Sequence, residues 1–205
     1  MAENATIASS QIFRWPFTVV FVGMMSVSGY FRFKARRSGE TIPRAREGGL
    51  VQLARLLLAA PLYVPIVAYM LNPDWMDWAA LPLPGWLRWL SAGVGLAALP
   101  LLYWVFRTIG SNISETILTK EKHRFVTSGP FHWVRHPLYF VATVALISMG
   151  VLAANWFMIS MACLVLVGIA VFIVPKEEAE LVRKFGLEYQ HYMQRTGRFV
   201  PRLFR

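Results

Sequence analysis

The stretch that decides the fold is LYFVATVALISMGVLAANWFMISMACLVLVGIAVFIV, residues 138–174. These thirty-seven residues are nearly all apolar, and none of them is charged. A helix that crosses a bilayer needs about twenty apolar residues, so this stretch is long enough for two such helices. The tripeptide Ala153-Ala154-Asn155 interrupts it near the middle. The stretch therefore predicts two membrane helices joined in a tight hairpin.

Three further apolar stretches precede the hairpin. They predict spans over residues 16–31, 50–71 and 86–106. The composition agrees, because 56% of the residues are hydrophobic and only 16% are charged, whereas about 25% of the residues in a soluble domain are charged. We therefore expect an all-α, polytopic membrane protein with about five transmembrane helices.

The cations are clustered, and their positions predict an orientation. The formal net charge is +10, and eighteen of the 21 Lys and Arg residues lie in segments 32–46, 107–135 and 176–205. Five spans put all three segments on one side, and cytoplasmic loops are rich in Lys and Arg. We expect an integral protein of the bacterial inner membrane, or of an ER-like membrane, with its N-terminus outside and its C-terminus cytoplasmic. The pattern favours membrane lipids over nucleic acid as partners.

Polar side chains gather just before the hairpin, in the segment SGPFHWVRHPLY at residues 128–139. An ionisable group inside a membrane costs at least ~3 kcal/mol, so such a cluster at the mouth of a span indicates a site. The two ends of the hairpin should bring this segment close to a second polar segment at residues 177–198. A metal site is not predicted, because His132 and His136 are not accompanied by ligands at a recognised spacing.

The region after the hairpin changes in pattern. Residues 176–186 predict a short amphipathic helix that stops at Gly186, and Tyr189 and Tyr192 should share one helical face. The tail at residues 195–202 is predicted to be a basic amphipathic strap on the inner leaflet.

The polar residues resemble a known family. The motifs that carry the resemblance are Gly110-Ser111-Asn112, residues 123–130, Arg135-His136-Pro137-Leu138-Tyr139, Glu177-Glu178, Phe185-Gly186, Tyr189 and Tyr192. In this order and spacing they resemble the isoprenylcysteine carboxyl methyltransferase family. Its wider group includes phospholipid N-methyltransferases and small-thiol methyltransferases. The similarity covers residues 107–198.

This resemblance implies S-adenosylmethionine as the cofactor and a lipophilic methyl acceptor. The cofactor-facing positions that it implies are His123, Arg124, Phe125, Val126, Phe131, His136, Pro137, Leu138, Tyr139 and Glu177. It implies a single domain over residues 1–205, in which residues 16–106 form three spans and residues 107–205 form the cofactor-binding catalytic half. The chemistry agrees, because a carboxylate such as Glu177 suits the ammonium group of the donor.

Methyl transfer from a sulfonium needs alignment of the reactants more than acid–base help. A carboxylate acceptor needs no base, whereas an amine or a thiol needs a proton acceptor such as Glu178, Tyr139 or His132. Arg135 is expected either to contact the ligand or acceptor or to anchor the chain at the cytoplasmic surface. The candidate catalytic residues are therefore Arg135, Glu178 and Tyr139.

The sequence departs from the eukaryotic relatives at two positions. Those enzymes carry an arginine about one helical turn before the first matching glutamate, a position near Ile173 here, and the only cation nearby is Lys176. Phe131 stands where they usually have tyrosine. The acceptor and the choice among O-, N- and S-methylation stay open, and so does the oligomeric state. The alternative function is a non-catalytic lipid-binding scaffold with a basic cytoplasmic face.

Overall fold

The computed structural model describes residues 2–37, 49–110 and 125–202. Within these ranges the chain is helical. The α-helices are α1 (Ala2–Arg37), α2 (Gly49–Leu71), α3 (Gly85–Ile109), α4 (Pro137–Leu152), α5 (Trp156–Gly168), α6 (Val174–Phe185) and α7 (Leu187–Arg195). The shorter elements are 3-10 turns at Pro73–Ala79 and Gly129–His132 and a π-helical turn at Ile169–Ile173. The predicted all-α polytopic fold is confirmed.

The apolar helices lie where the sequence predicts spans, but their lengths differ. Helices long and apolar enough to cross a membrane cover Gln11–Arg37, Gly85–Ile109 and Trp156–Phe185. Shorter apolar helices cover Ala59–Leu71 and Pro137–Leu152. At 1.5 Å per residue, the latter covers about 24 Å, somewhat less than the ~30 Å hydrocarbon core.

The first helix is longer than predicted. It runs over Ala2–Arg37 with Pro16 inside it, so the predicted boundaries at residues 16 and 31 were wrong. Gly23 of this helix has a packing role. A Cβ on Gly23 would lie only 2.7 Å from Leu99 Cδ1 of α3. Gly23 thus lets α1 and α3 approach closely, as small residues do between membrane helices.

Helix α3 forms the centre of the bundle, where it packs against α4 and α1. The fully buried side chains at these contacts are Phe17 and Val20 of α1, Val105 and Phe106 of α3, and Met149 of α4. The rings of Phe31 and Phe106 stack with their centroids 5.7 Å apart. This core holds the start of α4, and with it the polar segment that precedes α4, in a fixed place.

The predicted hairpin is present between α4 and α5. Ala154 has φ 52°, in the left-handed region, and Asn155 caps α5 because its Oδ1 accepts a hydrogen bond from Met158 N at 2.9 Å. Asn155 Nδ2 also donates to the Met76 carbonyl at 3.1 Å. The short break thus turns the chain and also ties it to the 3-10 turn after α2.

Helix α6 is the predicted amphipathic helix, and it ends at Gly186, whose φ is 57°. It follows α5 without a break, since the N–H of Val174 donates to the carbonyl of Ile169, five residues back. Pro175 directly follows the π-helical turn and has no N–H to donate, so the regular pattern of helical hydrogen bonds is interrupted at this point. The π-helical turn adds a residue to one helical turn, and so it changes the direction in which the side chains of α6 point.

Candidate active site

Three segments meet at the end of the bundle where α4 begins, which we call the site end. They are the loop at residues 133–136, the first turn of α6, and the tail after α7. The tail pairs with the loop through its backbone, because Arg135 N donates to the Gly197 carbonyl at 2.8 Å and His136 N donates to the Arg198 carbonyl at 3.0 Å. The loop and the tail therefore form one surface against α6.

Glu178 of α6 is the buried carboxylate at this junction, with its side chain only 5% exposed. Its Oε1 lies 2.9 Å from Arg135 Nε and 3.2 Å from His136 Nε2. Its Oε2 accepts a hydrogen bond from Arg198 Nη2 at 2.7 Å. A buried charge is tolerated only with such partners, so this cluster compensates the cost of removing the carboxylate from water.

Arg135 makes internal contacts throughout. Its side chain is 8% exposed, and beside Glu178 its Nη1 donates to the carbonyls of Met193 and Thr196. These carbonyls lie near the C-terminal end of α7, where a cation is electrostatically favourable. Arg135 thus joins the loop, α6 and α7. Its expected roles, a contact with the ligand or acceptor or an anchor at the cytoplasmic surface, stay predictions, and so does its catalytic role.

Glu177 is the accessible member of the acidic pair, with a third of its side chain exposed. Tyr139 Oη donates to Glu177 Oε2 at 3.2 Å, and His136 Nδ1 lies 3.7 Å from the same oxygen. The rings of His136 and Tyr139 stack with their planes 21° apart. Adjacent residues on a helix point about 100° apart, so one glutamate is buried while the other is partly exposed at the surface.

An aromatic cluster lies beside the carboxylates. Phe125 stacks on Phe185 at 5.3 Å and meets the rings of Tyr189 and Tyr192 edge-on. Burial raises the pKa of Tyr192 to about 12, and burial together with the Glu178 carboxylate raises the pKa of Tyr189. Both phenols are therefore protonated at neutral pH, and Tyr192 Oη donates to the Phe131 carbonyl at 2.5 Å.

Much of this constellation lies within a segment that is similar to a known family. Residues 91–183 match the sequence profile of the isoprenylcysteine carboxyl methyltransferase family. The matched range contains α4, α5, the loop with Arg135 and His136, and the pair Glu177-Glu178. It ends before α7 and the tail.

Two known proteins show how far the likeness extends. The chain is 29% identical to the nickel-cobalt-cadmium resistance protein NccN of Alcaligenes xylosoxydans xylosoxydans over 119 residues. The aligned residues make up 56% of this chain and 53% of that protein. The match thus spans about half the length of this relative. The solved structure of a eukaryotic intramembrane Ras methyltransferase, an isoprenylcysteine carboxyl methyltransferase, aligns with 91% of this chain and 67% of its own, with a TM-score of 0.55 and 19% identity. At this identity the alignment shows a common fold.

The predicted site residues fall into groups. His136, Tyr139 and Glu177 come together, with Arg135 and Glu178 next to them. Phe131 and Leu138 pack against the hydrophobic core instead, and Pro137 is buried at the start of α4. Phe125 lies in the aromatic cluster and Val126 is half-buried. His123 and Arg124 lie outside the described residues, as do Ser111 and Asn112. The ligand-binding roles stay predictions.

His132, a candidate proton acceptor, is exposed beside the ring of Trp133, with their centroids 6.3 Å apart. A search of the described residues found no group of three His, Cys, Asp or Glu side chains able to hold a metal ion.

Sequence reasoning missed how the tail folds back on the site. The tail was expected to be a strap on the inner leaflet, with Arg198 bound to lipid phosphate or to the substrate, whereas Arg198 pairs with the buried Glu178. Thr196 is buried, and a Cβ on Gly197 would lie 1.8 Å from the carbonyl oxygen of Val200. Only glycine fits that turn. In the sequence, Gly197 was the one indication that the chain turns here. No spacing rule links residue 198 to residue 178.

Proposed function

We propose that this chain is an S-adenosylmethionine-dependent methyltransferase of the membrane, and that it transfers a methyl group to a lipophilic acceptor at the cytoplasmic face. The observation that carries the proposal is the Glu177 carboxylate. It is a third exposed, it is held by Tyr139 and His136 at the end of a membrane helix, and it lies in the segment that matches a methyltransferase family.

The residues present fit the donor. The exposed Glu177 carboxylate would bind its ammonium group through charge-assisted hydrogen bonds. Phe125 and Phe185 are half-buried, and they would offer the adenine ring an apolar aromatic surface. When bound, S-adenosylmethionine supplies a methyl group on a positively charged sulfur. The protein then has mainly to align the reactants and exclude water, and alignment can lower a barrier by several kcal/mol.

The chain's own residues divide this work. Tyr139 and His136 both lie against Oε2 of Glu177, and we propose that together they orient this carboxylate. Arg135 keeps the loop, α6 and α7 together through its contacts with Glu178 and the α7 carbonyls. We therefore propose that Arg135 and Glu178 shape the site, and that Glu177 and Tyr139 face the ligand. Because Tyr139 donates to Glu177, it would take a proton from an amine or thiol acceptor only while its own phenolic proton passes to the Glu177 carboxylate, which would be the final proton acceptor.

The acceptor would approach from the lipid. The position near Ile173, where eukaryotic relatives carry arginine, lies in the π-helical turn and is apolar. Val171 and Phe172 of the same turn are exposed, as expected for side chains that face hydrocarbon. The acceptor would therefore be held mainly through apolar contacts on this side.

Titration calorimetry of S-adenosylmethionine into the detergent-solubilised protein tests the proposal. We expect micromolar binding by the wild-type protein and its loss in Glu177→Gln, because the amide cannot neutralise the ammonium group. Glu188→Gln is the matched control, since Glu188 is an exposed acidic residue of α7. Equal binding by both variants would overturn the assignment of Glu177.

The lipid-binding alternative predicts a different result. Binding to phosphatidylglycerol vesicles together with no heat of donor binding in the wild-type protein would overturn methyl transfer and favour the scaffold. Incorporation of a radiolabelled methyl group from the donor into a total lipid fraction would support the enzyme and point to its acceptor.

A further inference from the structure

Residues 196–198 of the C-terminal tail pack against the loop at the site. Two backbone hydrogen bonds join it to the loop at Arg135 and His136, and Val134 and Gly197 form a short parallel bridge. Thr196 and Gly197 are buried. A strap that only rested on the membrane surface would need none of these contacts. The tail is therefore part of the wall of the site.

The side chain of Arg198 occupies one oxygen of the central carboxylate. Its Nη2 lies 2.7 Å from Glu178 Oε2, while Glu178 Oε1 faces Arg135 Nε and His136 Nε2. A carboxylate held at both oxygens cannot rotate about its last bond. The contact with Arg198 thus keeps Oε1 directed at His136.

His136 connects the buried carboxylate of Glu178 with the accessible carboxylate of Glu177. Its imidazole lies between the two glutamates, with Nε2 3.2 Å from Glu178 and Nδ1 3.7 Å from Glu177. The ring is almost wholly buried and stacks on Tyr139. A change in the orientation of this ring would therefore move a neighbour of the Glu177 carboxylate.

We infer that Arg198 is a positioning residue of the methyl-transfer site, and that it acts through Glu178 and His136 on Glu177. This inference rests on the proposed function for its meaning in catalysis. The contact itself stands on the geometry. Arg198 lies beyond residues 91–183, the range that matches the family profile, and it is not one of the cofactor-facing positions that the resemblance implies.

The competing explanation is that Arg198 contacts lipid phosphate, since 41% of its side chain is exposed. Arg202 provides a matched control. It has the same charge, lies four residues further along the tail, is exposed, and donates to the Gln194 backbone carbonyl instead of a carboxylate. A loss of surface charge alone would affect both arginines alike.

The experiment compares Arg198→Gln, Arg198→Lys and Arg202→Gln in the full-length protein in detergent. We expect Arg198→Gln to weaken S-adenosylmethionine binding and to lower kcat by about ten- to a hundredfold, since small misplacements in a site cost that much. Lysine should restore part of the loss because it keeps the charge. Arg202→Gln should match the wild type in both measurements.

A second readout needs no donor. In protein labelled with ¹⁵N-histidine, the His136 imidazole signals, identified by their loss in His136→Gln, should shift in Arg198→Gln and stay in place in Arg202→Gln. Coincident signals in these two variants would overturn the inference. So would equal loss of phosphatidylglycerol vesicle binding with unchanged donor affinity, which would support lipid contact.

The route through Glu178 is tested by a double-mutant cycle. If Arg198 acts through Glu178, then Arg198→Gln should have little further effect on donor affinity in a Glu178→Gln background. Additive losses would overturn the proposed route. Failure of the wild-type protein to bind the donor would overturn the proposed function, whereas the histidine signals would still decide whether Arg198 positions His136.

Discussion

The two ends of the helical bundle use arginine in different ways. At the end that carries the α4–α5 turn, which we call the hairpin end, Arg88 Nε donates to the Leu152 carbonyl at 2.9 Å and Arg14 Nε donates to the Met70 carbonyl at 2.7 Å. These carbonyls belong to the last turns of α4 and α2, where a cation is favourable. At the site end, Arg135 also binds helix-end carbonyls, but it additionally binds the carboxylate of Glu178.

The difference separates stabilisation from ligand chemistry. Arg88 meets neutral groups, with Tyr69 Oη at 3.5 Å and its guanidinium 3.7 Å above the ring of Phe13. Such contacts join helices and leave no charge available. At the site end, a second carboxylate lies next to the paired one and is partly exposed. We therefore assign the proposed ligand contact to the site end, where a partly exposed carboxylate lies beside a buried ion-pair cluster.

The largest expected effect is at the site end, from Arg135→Met. This change leaves the buried Glu178 carboxylate with fewer partners. It also removes the two hydrogen bonds from Arg135 Nη1 to the carbonyls of Met193 and Thr196. Breaking a buried ion pair costs roughly 3–5 kcal/mol, and we expect a value near the lower limit because Arg198 still faces Glu178. The measurement is the thermal stability of the folded protein in detergent. The double variant Arg135→Met/Glu178→Met should recover much of the loss, and a single variant as stable as the wild type would contradict the ion-pair explanation.

A smaller effect is expected from Arg88→Met at the hairpin end. It removes a charged donor from the Leu152 carbonyl and from Tyr69, which should cost about 1.5–3 kcal/mol. Thermal unfolding should show this loss, and calorimetry should show an unchanged affinity for S-adenosylmethionine. A fall in donor affinity at a temperature where the variant is fully folded would break the division between the two ends.

The smallest effect is expected from Asn155→Ala in the α4–α5 turn. Loss of the helix cap and of the bond to Met76 should cost about 1 kcal/mol, again without an effect on donor binding. Asn155→Ser keeps a capping oxygen and loses the amide donor without adding a charge, so it should lie between alanine and the wild type. A serine variant less stable than the alanine variant would show that the cap is not the main contribution.

Hydropathy was sufficient to predict much of the fold. The apolar stretches, the break at Ala153-Ala154-Asn155 and the stop at Gly186 all depend on local preferences, and the structure has them in the predicted places. The limits of α1 were wrong because the helix continues beyond the predicted span at both ends. The close contact of Gly23 with Leu99 of α3 was not predicted either, since a local pattern does not contain a contact with another helix.

The site was predicted only in part, because local patterns do not contain the contacts between distant segments. The hairpin required residues 136 and 177 to be close, and they are. Which glutamate is buried depends on the phase of α6 after the π-helical turn, and the partner of Glu178 depends on how the tail folds back. Neither follows from the spacing of residues along the chain.

The sequence by itself therefore determined the class of the protein and the end of the bundle at which its chemistry lies. Long apolar runs must cross or line a membrane, and charged groups collect where those runs end. Only the tertiary structure decided that Glu178 is closed by Arg135, His136 and Arg198, and that Glu177 faces outward. The physical reason is that a buried carboxylate needs several partners at once, and those partners come from two separate segments of the chain, the loop before α4 and the tail.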